Sequence, residues 1–182
     1  RLAESEKKEE ALDALIRGLI IPDPDVKLTI LDIFLDPIFL TEKIIVPVEN
    51  LLVDDSPDVR KQAVEILGTL KDKKIANKLI KTLKDEDQQV RYTTMAALAN
   101  IGDSDIAYEL EQFLSSDLWE DRYHAVDAIG MLANKKSVSM LLKALEDPHP
   151  KVRENAAIHV GHFNLKSIRS KLIQLLEDSE TE

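Results

Sequence analysis

The chain has 182 residues, no cysteine, and 34 acidic against 24 basic side chains for a net charge of −10. That balance excludes a disulfide framework, a thiolate metal site and a cysteine nucleophile, and it disfavours nucleic acid, whose binders use lysine and arginine to displace phosphate counterions. A 44% hydrophobic fraction with only five glycines is enough for a continuous core, while no apolar run approaches the roughly 20 residues that span a membrane.

The first helical pattern covers about 3–20, where ALDALIRGL occupies Ala11 to Leu19. Asp23-Pro24 opens a second over about 24–36, with a capping carboxylate ahead of a proline at the first helical position. From there the chain becomes periodic. Arg60, Arg91, Arg122 and Arg153 stand 31 residues apart, inside PDVRKQAVEILGTL, QQVRYTTMAALANI, WEDRYHAVDAIGML and PKVRENAAIHVGHF. Leu79, Leu110, Leu141 and Leu172 keep the same interval. A fixed period of about 20–50 residues marks units that stack because none can bury its apolar face alone.

Two apolar stripes per unit mean two helices. First (A) helices are predicted over 3–20, 42–53, 73–84, 104–115, 135–146 and 166–177, and second (B) helices over 24–36, 57–70, 88–101, 119–132 and 150–163. The units are 3–36, 42–70, 73–101, 104–132 and 135–163, followed by a terminal helix at 166–177 in one domain of residues 1–182. Asp72, Asp103 and Asn134 are N-cap acceptors for A helices, and Ser56 caps ahead of Pro57. Leu118 and His149 are poor caps, which leaves Asp117 as a substitute at the fourth B helix. The fold class expected is an all-α, right-handed α-solenoid of about five and a half two-helix repeats. Because the chain opens with Arg1 directly into an A pattern, it is expected to be a fragment of a longer chain. The acidic Glu177, Asp178, Glu180 and Glu182 suit a polar C-terminal cap.

These segments resemble the HEAT-like repeats of the phycobilisome-lyase type, whose unit has an AVEPLIKAL-like helix, a DPD turn and a VRxxAAxALGxIGD-like helix. The likeness covers about Ala11 to Asp178. Pro47 matches the proline of its first helix, and Gly68, Gly130 and Gly161 match the glycine of its second. The chain departs from the pattern at Lys27 for arginine, Leu35 and Ala99 for glycine, and Asp121 for valine. The resemblance implies a HEAT-type fold. It offers a bilin-lyase-like catalytic subunit as one function, although a single repeat fold serves many functions.

The repeated arginine sits at the edge of the apolar stripe and is assigned a structural role. Arg60, Arg91, Arg122 and Arg153 are expected to be partly buried on carbonyls and acidic turn residues, with Asp54, Asp85 and Asp147 as candidates. Gly68, Gly130 and Gly161 are expected at close helix contacts. His159 and His162 lie one turn apart, but no third ligand or His-Glu dipeptide accompanies them, so neither metal nor cofactor is expected. The lysines at 71, 73, 74, 78, 81 and 84 read as a solvated face.

The informative positions are those that the repeat leaves free on the B helices, which line the concave side in HEAT-type solenoids. Tyr92 and Tyr123 occupy one position in successive units, and Trp119 precedes Tyr123 by one turn. In a chain with one tryptophan and three tyrosines this concentration points to an interface centre. The alternative is that Trp119 covers the groove between units. The partner-binding set is Trp119, Tyr92 and Tyr123 as anchors, with Gln62, Glu65, His124, Asp127, Met131, Glu154 and Asn155 around them. A second apolar group, Phe34, Leu35, Ile38, Phe39 and Leu40, fills a displaced helix junction or docks a partner.

The function read from this pattern is a protein–protein interaction scaffold. It is expected to be a monomer, not an enzyme, that holds a peptide, helix or loop with a somewhat basic segment. The alternatives are bilin-lyase-like catalysis and, behind it, nucleic-acid binding. Absence of cysteine leaves the compartment open, with the cytoplasm favoured.

Overall fold

A computed structural model describes residues 2–163, so the helix expected over 166–177 and the acidic cap at 177–182 lie outside the described residues. Every regular element among the described residues is helical. In order these are α1 (Leu2–Gly18), α2 (Pro24–Phe34), α3 (Ile45–Glu49), α4 (Pro57–Thr69), α5 (Lys73–Thr82), α6 (Gln88–Ile101), α7 (Ile106–Glu111), α8 (Trp119–Leu132), α9 (Lys135–Ala144) and α10 (Pro150–His162). The chain divides into two compact units, Arg1–Ala97 and Leu98–Glu182.

The B helices end where the chemistry of the chain requires. Helix α2 stops at Phe34, two residues short of the expected 36, because Asp36 precedes Pro37 and a residue before proline avoids the α region. The second A helix is broken into a 3-10 turn at Glu42–Ile44, the short α3 and another 3-10 turn at Asn50–Val53. Pro47 lies in the first turn of α3, the place where its missing N–H leaves no bond unmade. Lys71 (φ 51°), Gly102 (φ 76°) and Ala133 (φ 45°) share one register position after α4, α6 and α8. All three are left-handed helix exits, and only Gly102 adopts that conformation without a Cβ penalty.

Caps follow the expectation in part. Asp23 accepts from the N–H groups of Asp25 and Val26, Asp72 from Lys74 (2.9 Å) and Asn134 from Ser137 (3.0 Å). Ser56 makes no side-chain cap; Asp103 accepts from the Asp105 N–H (3.3 Å), although α7 begins only after Asp105. At α8, Ser116 rather than Asp117 accepts from the Leu118 N–H (3.3 Å).

In the first unit α2 and α3 pack on α4, with α1 on α2. Phe34, Leu31, Ile44, Ile66, Leu67, Ile75 and Leu79 are fully buried there, and each contributes about 1.5–3 kcal/mol over its exposed state. In the second unit α8 packs on α10, α9 and α7, around Leu110, Ala125, Val126, Ile129, Leu141 and Val152. Gly68 brings α4 against α6: a Cβ there would stand 2.6 Å from the Ala97 Cβ. At Gly130 an added Cβ would lie 2.1 Å from the His159 ring. Among the described residues nothing approaches Gly161 within 4 Å. The contacts of Gly68 and Gly130 both fall 29 residues downstream.

The recurring cations are staples. Arg60 Nη1 donates to the carbonyls of Asp54 (2.7 Å) and Asp55 (3.2 Å), while Nε and Nη2 donate to Asp85 (2.8 Å each). Arg122 repeats the arrangement with Ser116 O (2.7 Å), Asp117 O (3.3 Å) and a two-pronged bond to Asp147 (2.7 and 3.0 Å). Lys27, in the arginine register, pairs with Asp54 at 2.5 Å. Arg60 and Arg122 thus each join the turn before their helix to the carboxylate of the next turn, which matches fork-like guanidinium chemistry, while Lys27 reaches the next turn's carboxylate alone. Arg91 donates to the carbonyls of Asp85 (3.0 Å) and Glu86 (3.2 Å), and Arg153 to those of Asp147 (2.7 Å) and Pro148 (3.0 Å). Burial is graded: Arg60 is buried, Arg91 and Arg122 are half-buried, and Arg153 is exposed, which corrects the expectation that all four are partly buried.

One unit exchanges two residues. Ser116 stands where the register has Asp54, Asp85 and Asp147, and Asp121 stands where it has Val59, Val90 and Val152. Asp121 is buried, and the Ser116 hydroxyl donates to its carboxylate at 2.8 Å. The carboxylate missing from the turn reappears one turn into the helix, and the serine satisfies it there.

Candidate functional site

The second unit carries a groove of about 440 Å³ between α8 and α10, lined by Trp119, Glu120, Tyr123, His124, Lys151, Glu154, Asn155 and Ile158. Trp119 is the first residue of α8, so its indole leaves the helix end, and Tyr123 follows one turn later. Their ring centroids are 6.3 Å apart at 75°, the edge-to-face geometry favoured by ring quadrupoles. His149, just ahead of α10, lies parallel to the indole at 4.0 Å and 10°. The Lys151 ammonium stands over the same indole, 5.1 Å from its centroid.

Asn155 forms part of the floor. It is 6% exposed, and its Nδ2 donates to the Tyr123 carbonyl at 3.2 Å, fixing α10 against α8 beneath the aromatic pair. Deeper along the same helices, His159 and Asp127 meet at 2.9 Å. The absence of a side chain at Gly130 makes room for that imidazole. Burial pushes the His124 imidazole below its ordinary value, against the pull of Asp127, Asp121 and Glu120, so it is neutral near pH 7. Ile158 (53% exposed) lies on the groove, and Met131 (50%) is exposed at the end of α8.

The structure therefore brings together Trp119, Tyr123, His124, Glu154 and Asn155, with Asp127 held on His159 of α10. Tyr92 and Gln62 are placed otherwise. Both belong to the first unit; Tyr92 is 7% exposed, with its hydroxyl accepting from Gln88, and Gln62 is buried and donates to Asp32 of α2. Tyr92 is thus no exposed anchor, because the polar side chain one turn before it draws its hydroxyl back along the helix. Glu65 is exposed on α4. His149, Lys151, Glu120 and Ile158 were not in the expected set, although His149 occupies the register of Ser56 and Leu118 just ahead of the helix.

A larger cleft of about 650 Å³ in the first unit is lined by Glu49, Asp54, Arg60, Lys78 and Asp85 among others. Those charges serve one another: Lys27 holds Asp54, Arg60 holds Asp85 and Lys78 pairs with Glu49. Of the second apolar group, Phe34 is fully buried in the helix junction while Leu35 and Ile38 are exposed. Among the described residues no group of three or more acidic or histidine side chains is arranged to hold a metal ion. No described helix is long and apolar enough to cross a membrane.

Comparison with known proteins gives the fold a relationship. The complex of CpcE and CpcF of phycocyanin lyase from Nostoc sp. PCC7120 aligns with 88% of this chain and 68% of its own, with 18% identity and a TM-score of 0.73. A designed armadillo repeat protein in complex with the peptide (KR)4 aligns over 88% and 85% at 20% identity, with a TM-score of 0.65. A computationally designed armadillo repeat protein for modular peptide recognition aligns over 81% and 80% at 22% identity, with a TM-score of 0.57. At these identities the likeness is one of fold, the all-α solenoid of helical repeats. No curated protein matches the chain significantly. A family model for HEAT repeats matches residues 45–121 and again 107–182, and the chain belongs to the HEAT-repeat family.

Proposed function

We propose that the chain is a protein-interaction scaffold and that the α8–α10 groove is where it holds a segment of its partner. The observation that carries this reading is the groove itself. The only tryptophan of the chain stands half-buried at its mouth beside Tyr123, with exposed Ile158 and the polar Glu120, Glu154 and Lys151 on its rim. An aromatic anchor with an apolar neighbour and a polar surround is the composition of an interface centre. The structural neighbours include designed proteins made for peptide recognition, which is compatible with this use of the fold. Bilin-lyase-like activity has in its favour only the fold shared with a phycocyanin lyase complex.

The test compares proteins retained by the immobilised chain with those retained by the Trp119→Ala, Tyr123→Ala double variant, both checked for native helicity. The reading predicts a set bound by the parent and lost by the variant. The same set on both columns would place the binding surface elsewhere.

A further inference from the structure

We propose that the groove takes a lysine- or arginine-bearing segment of the partner protein, whose cationic side chain replaces the Lys151 ammonium over the Trp119 indole. The proposal rests on the reading of this groove as the docking site and specifies what docks there.

Three features of the groove lead to it. First, the indole already holds a cation. His149 is packed flat on it at 4.0 Å, and the ammonium of the exposed Lys151 stands over it, 5.1 Å from the ring centroid. An aromatic ring covered by the ammonium of an exposed lysine is a cation site filled from within the chain. Second, the charged lining favours a cation. Glu120 and Glu154 both border the groove, and Lys151 is its one fixed positive charge; His124, desolvated, adds none near neutral pH. When the partner's cation displaces Lys151, those two carboxylates remain to pair with it, in a chain whose net charge is −10. Third, the groove is built on rigid elements, since Asn155 ties α10 to the Tyr123 carbonyl directly beneath it. A cation entering it meets a preformed aromatic surface.

Lys151 therefore acts as a competitor held in place. A contact of this strength closes the indole face for part of the time and lowers the apparent affinity by the fraction that is open. Removing the ammonium while keeping the stem, as in Lys151→Met, should tighten binding of a cationic segment by about 3- to 10-fold. A segment bearing acidic or phosphorylated side chains would behave in the opposite way, because Lys151 would be its partner and its loss would weaken binding.

The experiment titrates the labelled octapeptides (KR)4 and (ED)4 into the full chain and its variants at low salt. The expected result is that the chain binds (KR)4, that Lys151→Met binds it about 3- to 10-fold tighter, and that Glu120→Gln with Glu154→Gln binds it about 5- to 10-fold more weakly. Lys143→Met, the same change of charge at an exposed position of α9, controls for the general attraction of a polycation to an acidic protein and should shift affinity less than 2-fold, at roughly the level of a distant screened charge. No binding of (KR)4, or equal tightening by Lys151→Met and Lys143→Met, overturns the proposal. If (ED)4 binds and Lys151→Met abolishes it, the groove still docks a partner but the cationic occupant is wrong. If (KR)4 binds equally well to Trp119→Ala, the docking site itself is misplaced. All of these substitutions are at exposed or half-exposed side chains, and only the last removes a packed ring, so the comparison does not depend on a variant that threatens the fold.

Discussion

Replacing Arg60 with alanine removes a cation that holds two turns together, and the structure allows the cost to be apportioned. The guanidinium makes two bonds of 2.8 Å to Asp85, with side-chain exposures of 8% and 9% for the pair. Deleting one partner of a buried ion pair costs about 3–5 kcal/mol, because the remaining charge is left in poor solvent. Asp85 keeps the bond from the Asp87 N–H at 2.9 Å, and the released carbonyls of Asp54 and Asp55 belong to a surface turn that water can reach. The lower end applies: about 3 kcal/mol at pH 7. Removing both partners should be gentler than the sum, so Arg60→Ala with Asp85→Ala should show a coupling of about 1.5–3 kcal/mol.

The acid dependence follows from the same pair. Burial raises the Asp85 carboxyl, but hydrogen bonds from Arg60 and the Asp87 N–H, with the charges of Arg60 and Arg91, outweigh it and leave it below its ordinary 3.8. A group depressed in the folded state contributes its full stability above the unfolded value of about 3.9 and loses it as pH falls through the folded one. The difference between the parent and Arg60→Ala should therefore be constant from pH 7 to about 5 and shrink below about pH 4. Urea unfolding at several pH values, with m-values compared, reads all three quantities. A loss under about 1 kcal/mol, or strict additivity in the double variant, would refute the staple as described.

Further substitutions test other parts of the account. Lys71→Gly and Ala133→Gly should each raise stability by about 1 kcal/mol in thermal or urea unfolding, because both residues hold φ near 50° where glycine is unstrained. Gly130→Ala should cost about 1–3 kcal/mol by driving a methyl into the His159 ring at 2.1 Å. Asp121→Val should be destabilising alone, and Ser116→Asp added to it should recover part of the loss by restoring the register of the other units; independent effects in a double-mutant cycle would contradict the exchange.

Much of the fold was legible because it repeats. A 31-residue register fixed the B helices almost to the residue: 88–101 and 119–132 match α6 and α8 in full. The same register named Asp54, Asp85 and Asp147 as partners of the cations, since a half-buried guanidinium needs a carboxylate at a turn. What the period cannot convey is the behaviour of side chains that differ between units. Tyr92 and Tyr123 share a register position, yet Gln88 draws the hydroxyl of one back along its helix while Trp119 meets the ring of the other. The stack of His149 on Trp119 joins two loop-proximal residues 30 apart, a distance no helical periodicity reports. The broken second A helix was foreshadowed only by Pro47.

The central claim, that Trp119 anchors a partner segment, is tested most directly by measuring affinity and folding stability on the same Trp119→Ala preparation, using a partner retained by the parent chain. Losing the His149 stack and the edge contact with Tyr123 should lower stability by about 1–2 kcal/mol. Binding should fall by at least about 2 kcal/mol, roughly 30-fold, the threshold of an interface hot spot. Unchanged affinity in a folded variant would make Trp119 a packing residue and put the binding surface somewhere else on the chain.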